Sequence, residues 1–363
     1  SVNIKSDSQQ LEVVVILVDD NNSFSKGRTG ADSSVGRRDL TTLPTISWSA
    51  ADFTWLDPQA SGGSFGGRYD QYNNYSLDGS IFNNPFGLDA PTPGGQTGAQ
   101  PISLDAIDQI SVATAPYDVT QSGFTGASVN AVTKSGTNEF NGTVYGFFRN
   151  QDLTGGKING EKIFVPKLEQ KQYGFSVGGP IIKNKLFFFA NFEKDDRVDS
   201  GSDWIPNTGS GGVNESRVSL SDMQDVRDKL LELGYEPGAI QGFTYNTEST
   251  KGIIKLDWNI SDKHRLAVIY NFLDASKEKP AHPSALGFRG PSANTIQFEN
   301  AGYQINNNLH SFLAELNSNI GDNTTTKFQI GYTVFYDFRN PLSSPAPSIT
   351  IQENWSNYII AGH

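Results

Sequence analysis

From residue 139 onward, apolar and polar residues alternate along the chain in short segments. The clearest segment runs from Ile254 to Ile260, where apolar residues are interleaved with Lys255, Asp257 and Asn259. Because successive side chains of a β-strand point to opposite faces, one face of this strand suits lipid and the other suits water. The pattern therefore predicts the strands of a transmembrane antiparallel β-barrel.

Seven such strands follow one another, separated alternately by a turn of a few residues and by a loop many times longer. A soluble sandwich has no need of this asymmetry, whereas outer-membrane barrels place short turns in the periplasm and long loops outside. The first strand is therefore expected to run outward. The predicted strands span residues 139–149, 172–179, 186–196, 252–260, 265–273, 309–320 and 326–338.

Aromatic residues near the ends of these strands suggest a girdle at the membrane interface, where rings span the headgroup and acyl regions. Stacking of a ligand inside the lumen is the alternative. The residues are Tyr145, Phe147, Phe187, Phe188, Phe189, Tyr270, Phe272, Phe335, Tyr336 and Phe338.

The first part of the chain lacks this alternation and is rich in Gly, Asn, Ser and Pro. Short apolar segments at 11–18, 107–112 and 127–132 predict strands of a compact, loop-rich α+β domain. Apolar spacing over residues 41–56, with Pro44 near its start, predicts one helix.

The longest loop also contains a predicted helix, from Ser221 as N-cap to Leu233, with Gly234 as its stop. Met223 lies on its apolar stripe, which recurs at helical spacing. Packing on neighbouring loops is the simpler interpretation, and docking of a partner protein is the alternative.

The seventh strand is expected to run outward, into an extracellular loop that begins near residue 340. An open barrel edge in lipid would leave unpaired N–H and C=O groups, each costing several kcal/mol. Either the chain is a fragment of a larger protein or other chains supply further strands, and we expect a fragment.

Composition narrows the class of protein. The mean hydropathy is −0.42, as expected when only alternate strand residues face lipid. The sequence contains neither an apolar run long enough for a membrane-spanning helix nor the layout of a signal peptide. The net charge of −11 argues against a nucleic-acid partner, and the absence of Cys excludes disulfides and thiolate chemistry.

No residue pattern supports catalysis. Gly62, Ser64 and Gly66 match the spacing of a hydrolase nucleophile turn but lie in a Gly-Ser tract without the flanking strand and helix. The four His residues are scattered, so no base–nucleophile pair is predicted. We expect that the protein is not an enzyme and that it holds no resident cofactor. Calcium is a minor possibility, because oxygen ligands crowd one strand end at Asp195, Asp196, Asp199 and Asp203, just above Glu193.

A segment of the first domain mixes aromatic rings with amides. Rings with amide donors and acceptors suit sugars or peptide backbones, but they also suit a loop hydrogen-bonded to the barrel wall. We take it as the candidate substrate-binding surface, with structural packing as the alternative. The candidate residues are Tyr72, Asn73, Asn74, Asp78, Phe82, Asn83 and Phe86.

Three runs of sequence resemble TonB-dependent outer-membrane receptors, in particular the Oar-like and SusC-like receptors of Bacteroidota. The runs are PISLDAIDQISVATAPYDVTQSGFTGASVNAVTKSGTNEFNGTVYGFFRN (101–150), QYGFSVGGPIIKNKLFFFANFE (172–193) and GGRYDQYNNYSLDGSIFNNPFGL (66–88). The resemblance implies a barrel of about twenty-two strands with a plug domain in its lumen. It implies a periplasmic segment at 1–20, the plug at 21–137 and the first barrel strands at 138–363.

The family also has a TonB box ahead of the plug, and Leu11, Glu12, Val13, Val14 and Val15 resemble one. An extended apolar segment can add as a strand to the sheet of a partner, which provides a grip for pulling. An ordinary plug strand is the alternative.

The resemblance implies TonB-dependent active transport across the outer membrane, of an oligosaccharide or a peptide. The implied partners are the TonB energising complex of the inner membrane, a surface lipoprotein lid of SusD type and outer-membrane lipid. The rival interpretation is a receptor-like barrel that serves as a structural subunit of a larger complex, with its plug permanently shut.

Overall fold

A computed structural model describes residues 32–43, 45, 51–54, 56–83, 92–114, 124–281, 290–321, 323–354 and 356–363. Its helices are short: α1 (Arg37–Thr42), α2 (Ala51–Thr54) and α3 (Leu220–Glu232). Within these residues, no helix has the length and apolar character needed to cross a membrane.

Strands account for most of the regular structure. The first seven are β1 (Asp32–Gly36), β2 (Ala60–Ser61), β3 (Ser64–Phe65), β4 (Asn74–Leu77), β5 (Ser80–Ile81), β6 (Ile107–Ala113) and β7 (Ser128–Thr133). The others are β8 (Asn141–Asn150), β9 (Lys157–Ile158), β10 (Glu161–Lys162), β11 (Leu168–Ile182), β12 (Leu186–Ser200), β13 (Ile205–Asn207), β14 (Glu215–Ser219), β15 (Thr244–Ser261), β16 (His264–Lys279), β17 (Thr295–Gln297), β18 (Tyr303–Ile320), β19 (Thr324–Pro341), β20 (Ile349–Glu353) and β21 (Asn357–Ala361).

Seven long strands form one antiparallel sheet, the wall, in the order β19-β18-β16-β15-β12-β11-β8. All seven predicted wall strands are confirmed, together with the short turns between them. Several run further than predicted toward the long loops, and β15 begins at Thr244 rather than near residue 252. The added residues 244–251 are mostly polar on both faces, so they carry no alternation that a sequence pattern could reveal.

The outer face of the wall carries an exposed apolar band. Ile254, Leu256, Trp258 and Ile260 are 38–53% exposed, as the alternation predicts for a lipid-facing stripe. Register continues the band across the sheet, since Ile254 lies opposite Tyr270, which lies opposite Phe312 on β18. Other members are Val144, Tyr173, Phe175, Val177, Phe328, Ile330, Tyr332, Val334 and Tyr336.

The inner face differs from the prediction. Lys255 was expected to face water, yet it is only 7% exposed because a second sheet covers it. Five residues assigned to the aromatic girdle also point to this face, so that assignment is wrong for Tyr145, Phe147, Phe187, Phe189 and Phe335. The strand period, for example, places Phe187 and Phe189 on the opposite face from Phe188.

The covering sheet, the plug sheet, has the order β1-β6-β7-β4-β5, with β4 and β7 parallel. Strands β6 and β7 confirm the two described segments predicted from apolar runs. One hydrophobic core joins this sheet to the wall: Phe53 and Ile110 belong to the same buried cluster as Ile253 and Leu309. The wall therefore surrounds part of a packed inner domain.

The single helix predicted over 41–56 is wrong. The structure has α1 and α2 instead, and Leu43 at the end of α1 is extended, with φ −76° and ψ 141°. Leu43 precedes Pro44, and the proline ring disfavours helical geometry in the residue before it.

The segment between the two sheets lies at the short-turn end of the wall. Asn138 and Asn184 exchange hydrogen bonds of 2.6 and 2.8 Å, which fix this segment to the turn between β11 and β12. A side chain at Gly136 would come within 2.3 Å of the Phe188 carbonyl, so only glycine fits there. Strand β8 thus starts at the short-turn end, as predicted.

Helix α3 begins two residues earlier than predicted. Ser219, not Ser221, is its N-cap, accepting a hydrogen bond from the Asp222 N–H at 3.1 Å. Gly234, with φ +82°, ends the helix as predicted. Met223 and Leu230 are buried against neighbouring loop segments, in agreement with the packing interpretation.

Candidate functional site

The plug sheet and the wall meet through a buried polar cluster, the Glu193 network, formed by Glu193, Lys251, Tyr145 and Ser103. The Glu193 side chain is fully buried. Its Oε2 accepts hydrogen bonds from Tyr145 at 2.5 Å and from Ser103 at 2.7 Å. Lys251 Nζ lies 2.8 Å from Oε1 and forms an ion pair with it.

Register and a glycine explain how this network is assembled. Glu193 and Lys251 lie directly opposite each other on β12 and β15, both pointing inward. Gly174 on β11 leaves room for the Tyr145 ring, since a side chain there would come within 2.4 Å of the Tyr145 hydroxyl. Ser103 is the member supplied by the plug. A buried carboxylate needs this combination of a counter-ion and hydrogen bonds to remain charged.

A second polar contact, the Asp78 corner, lies nearer the short turns and consists of Asp78, Thr133 and Lys255. Asp78 accepts hydrogen bonds from the Thr133 N–H at 3.0 Å and from its hydroxyl at 2.8 Å. Lys255 Nζ donates to Thr133 Oγ1 at 3.1 Å and lies 3.9 Å from Asp78 Oδ1. Asp78 has φ +49°, a left-handed conformation that Asp tolerates better than most residues.

Two more contacts hold the plug at other positions along the wall strands. Asp105 forms an ion pair with Lys134 at 3.1 Å and accepts a hydrogen bond from Thr143 of β8 at 2.7 Å. Nearer the long loops, the Thr97 N–H donates to Asn307 Oδ1 at 3.0 Å. The plug is thus held to β8, β12, β15 and β18 by polar groups that water can replace.

Of the residues predicted to bind substrate, only some share a surface. Tyr72 is 57% exposed at the long-loop end of β4. Asn73, next to it, is buried: its amide donates to the Gly63 carbonyl at 2.8 Å and accepts from the Ala127 N–H at 2.9 Å. A side chain at Gly126 would come within 2.2 Å of Asn73 Oδ1, so the close approach requires glycine.

The other predicted residues are used within the plug. Asn83 donates to Asn74 Oδ1 at 2.9 Å, and Phe82 is buried in the shared core. Asp78 lies at the opposite end of β4 from Tyr72, so the two do not meet. Phe86 lies outside the described residues, as does the predicted TonB box at 11–15.

The neighbours of Tyr72 are not predicted by the sequence pattern. Arg68, Tyr69 and Gln71 are exposed beside it, after the β2–β3 hairpin, and form with it a surface that we call the plug apex. Glycines with positive φ, such as Gly62 and Gly66, shape this hairpin. In the sequence, these glycines are the signal that indicates a loop here.

The aspartates predicted as a minor calcium possibility do not converge. Asp195 accepts hydrogen bonds from Gln170, while Asp196 pairs with Lys194 at 3.2 Å and Asp199 pairs with Arg197 at 2.7 Å. Among the described residues, no group of three acidic or histidine side chains is arranged to hold a metal ion.

Comparison with known proteins agrees with this architecture. The model of a family described as "Outer membrane beta barrel domain" matches residues 132–358. The TonB-dependent transporter Oar of Myxococcus xanthus is 34% identical over 138 residues, and the match covers 36% of this chain and 12% of that protein. This relative agrees with the Oar-like resemblance.

Two solved structures share the fold. The outer membrane transporter YddB from Escherichia coli has a TM-score of 0.61 and 11% identity, covering 92% of this chain and 43% of that one. A ferric enterobactin receptor from Pseudomonas aeruginosa has a TM-score of 0.51 and 12% identity, covering 85% and 42%. The chain therefore spans less than half of the length of these proteins. The Oar relative is named as a transporter, which agrees with the prediction that the chain is not an enzyme.

Proposed function

Because the chain belongs to the outer membrane β-barrel family and is thus an integral outer-membrane protein, we propose that it carries out TonB-dependent active transport. In this proposal, residues 1–20 form a periplasmic segment, 21–137 the plug and 138–363 the first barrel strands. Substrate binds at the plug apex, and an energised partner in the inner membrane pulls the plug to open a path along the wall.

The observation that carries this proposal is the chemistry of the wall where it meets the plug. Glu193, Lys251, Lys255 and Asn307 are buried wall residues whose charges and amides are satisfied by one another or by the plug. A plug that stays permanently shut has no need of polar groups there. If the plug moves, these groups line a hydrophilic path and exchange their partners for water.

A pull on the amino terminus would reach the plug through β1. Among the described residues, this strand is an edge of the plug sheet and pairs with β6 alone. Residues 16–31 separate Val15 from β1, and they span about 50 Å when extended. A TonB box at Leu11 to Val15 would therefore extend well beyond the plug to a periplasmic partner.

Deleting residues 11–15 in the full-length protein tests the proposal. We expect loss of energy-dependent uptake with unchanged amounts of protein in the outer membrane, because the pull has no point of attachment. Deleting residues 21–25 removes the same length and should leave uptake largely intact. Normal uptake after deletion of residues 11–15, or in cells without the energising complex, would contradict active transport.

The plug apex favours a substrate with ring faces and polar edges. Tyr69 and Tyr72 offer exposed aromatic surfaces beside Arg68, which suits oligosaccharides and peptides that carry carboxylates. If the protein is of the SusC-like subtype, a surface lipoprotein of SusD type would cover the long loops as a lid. A structural role remains the second candidate, supported by the extensive loop packing around α3.

Lipid contact with the outer apolar band makes a further prediction. Leu256→Arg should reduce the stability of the protein in bilayers by about 2–4 kcal/mol, because a charge near the membrane midplane loses its hydration. The change is measured by urea unfolding in lipid vesicles. Ile320→Arg, next to a short turn, should cost much less. Equal costs at both positions would mean that the band does not lie in lipid.

A further inference from the structure

The plug meets the inner face of the wall through two kinds of contact, which lie on different strands. On the wall, the shared hydrophobic core is formed mainly by β16 and β18, which we call the apolar side. Their buried members of this core are Ile269, Leu273, Ala275, Leu309 and Leu313. Among the described residues, β12 adds Phe189 and β15 adds Ile253, whereas β8 and β11 add none. We call β8, β11 and β12 the polar side.

On the apolar side, the backbone of the plug lies close to the wall. A side chain at Gly94, which has φ +83°, would come within 2.8 Å of Leu273 Cδ2. Three residues further on, the Thr97 N–H donates to Asn307 Oδ1 at 3.0 Å. Separation of the two surfaces here would return the buried apolar surface of Leu273 and its neighbours to water, which is unfavourable.

On the polar side, the plug is held by hydrogen bonds between hydroxyl groups and carboxylates. Ser103 of the plug donates to Glu193 of β12 at 2.7 Å. In the opposite direction, Thr143 of β8 donates to Asp105 of the plug at 2.7 Å. Water can take the place of either partner, so the net cost of exchanging such a bond is small.

Among the described residues, no ion pair crosses from the plug to the polar side. The counter-ion of Glu193 is Lys251, and both belong to the wall. The counter-ion of Asp105 is Lys134, and both belong to the plug. An ion pair that crossed between the two surfaces would leave two unpaired charges when it broke, which is costly. Here each charge keeps its counter-ion when the surfaces separate.

The polar side also lies next to the strand that a pull on the amino terminus would reach. Strand β1 pairs with β6 along its whole length. Strand β6 begins at Ile107, directly after the short segment that carries Ser103 and Asp105. A displacement of β6 would therefore act on both hydrogen bonds to the polar side.

We propose that the polar side is a seam, at which the plug separates first from this part of the wall, while the apolar side and the Asp78 corner separate later. The space that opens is lined by β8, β11 and β12. The inward residues of β11 are small or polar, namely Gln172, Gly174, Ser176 and Gly178. The seam follows from the contacts alone, whereas its use as the path of a substrate rests on the proposed transport.

Two asparagines provide matched probes of the seam. Asn191 on β12 and Asn271 on β16 lie in one row across the wall, because Ile253 of β15 is directly opposite both. Both are buried on the inner face, at 5% and 1% exposed. Asn191 belongs to the polar side and Asn271 to the apolar side. A thiol at each position therefore reports whether water reaches that side of the wall.

Labelling by N-ethylmaleimide of Asn191→Cys and, separately, of Asn271→Cys tests the seam. Residues 1–363 contain no Cys, so each full-length variant carries a single thiol once any Cys elsewhere is changed to Ser. The protein is placed in lipid vesicles, in urea below the concentration that unfolds it. We expect the thiol at position 191 to react about tenfold faster, because local separation precedes global unfolding. Ser103→Ala should speed labelling at position 191 and leave labelling at position 271 unchanged.

Equal labelling rates at the two positions, or faster labelling at position 271, would overturn the seam. If either variant does not fold, a second pair lies in the same row: Ser176→Cys opposite Asn191, and Ser311→Cys opposite Asn271. In cells, labelling at position 191 should rise only when the energising complex is present. If the order in urea holds but labelling in cells does not respond to that complex, the result contradicts the proposed transport and leaves the seam in place.

Discussion

Replacing Glu193 by alanine should loosen the plug from the wall more than any other single substitution among the contacts described. The change leaves the Lys251 ammonium buried without a counter-ion, a situation that costs about 3–5 kcal/mol. It also deprives the Ser103 and Tyr145 hydroxyls of their shared acceptor. We therefore expect a large fall in the free energy of unfolding of the plug.

The measurement is urea unfolding of the full-length protein in lipid vesicles. Removing both charges, as Glu193→Leu with Lys251→Met, should cost less than Glu193→Ala alone, because no ammonium is then left buried without a counter-ion. In both variants Ser103 and Tyr145 can still bond to each other at 2.8 Å. Glu232→Ala breaks the exposed pair with Lys229 and should change stability by about 0–1 kcal/mol. If Glu193→Ala costs no more than Glu232→Ala, the network does not hold the plug.

The wall could be predicted from the sequence because its signal is local. Alternation with a period of two identifies a strand from a few residues, and Ile254 and its neighbours show it over seven positions. The alternation ends where both faces of a strand carry polar residues. The sequence therefore does not predict how far the strands extend toward the long loops. Alternation also does not reveal that a second sheet covers the inner face, so the pattern alone predicts contact with water for Lys255.

The polar contacts of the site are long-range, which explains why they were not predicted. Ser103 and Glu193 are 90 residues apart, and only the packing of two sheets brings them together. A partial signal is present at Glu193, which falls at an inward position of a predicted membrane strand, where charges are costly and tend to be functional. Lys251 lies in the part of β15 that the pattern does not predict. The amides of Asn73 and Asn74 gave a misleading local signal, since buried turns and exposed binding loops favour the same residues.

A reversible cross-link between plug and wall should abolish transport. The side chains of Asp105 in the plug and Thr143 on β8 are in contact, with 2.7 Å between their oxygens. Residues 1–363 contain no Cys, and any Cys elsewhere in the full-length protein is replaced by Ser before the test. After Asp105→Cys and Thr143→Cys, a short bifunctional methanethiosulfonate reagent should join them. Asn138→Cys with Asn184→Cys is the matched control, because it fixes the connecting segment to a turn without joining the two sheets.

Uptake by cells producing the cross-linked full-length protein is the most direct test of a moving plug. We expect uptake to stop when positions 105 and 143 are joined, to return after the bridge is reduced, and to persist when positions 138 and 184 are joined. Uptake at the normal rate with the plug tethered at 105 and 143 would show that transport does not require the plug to leave this wall.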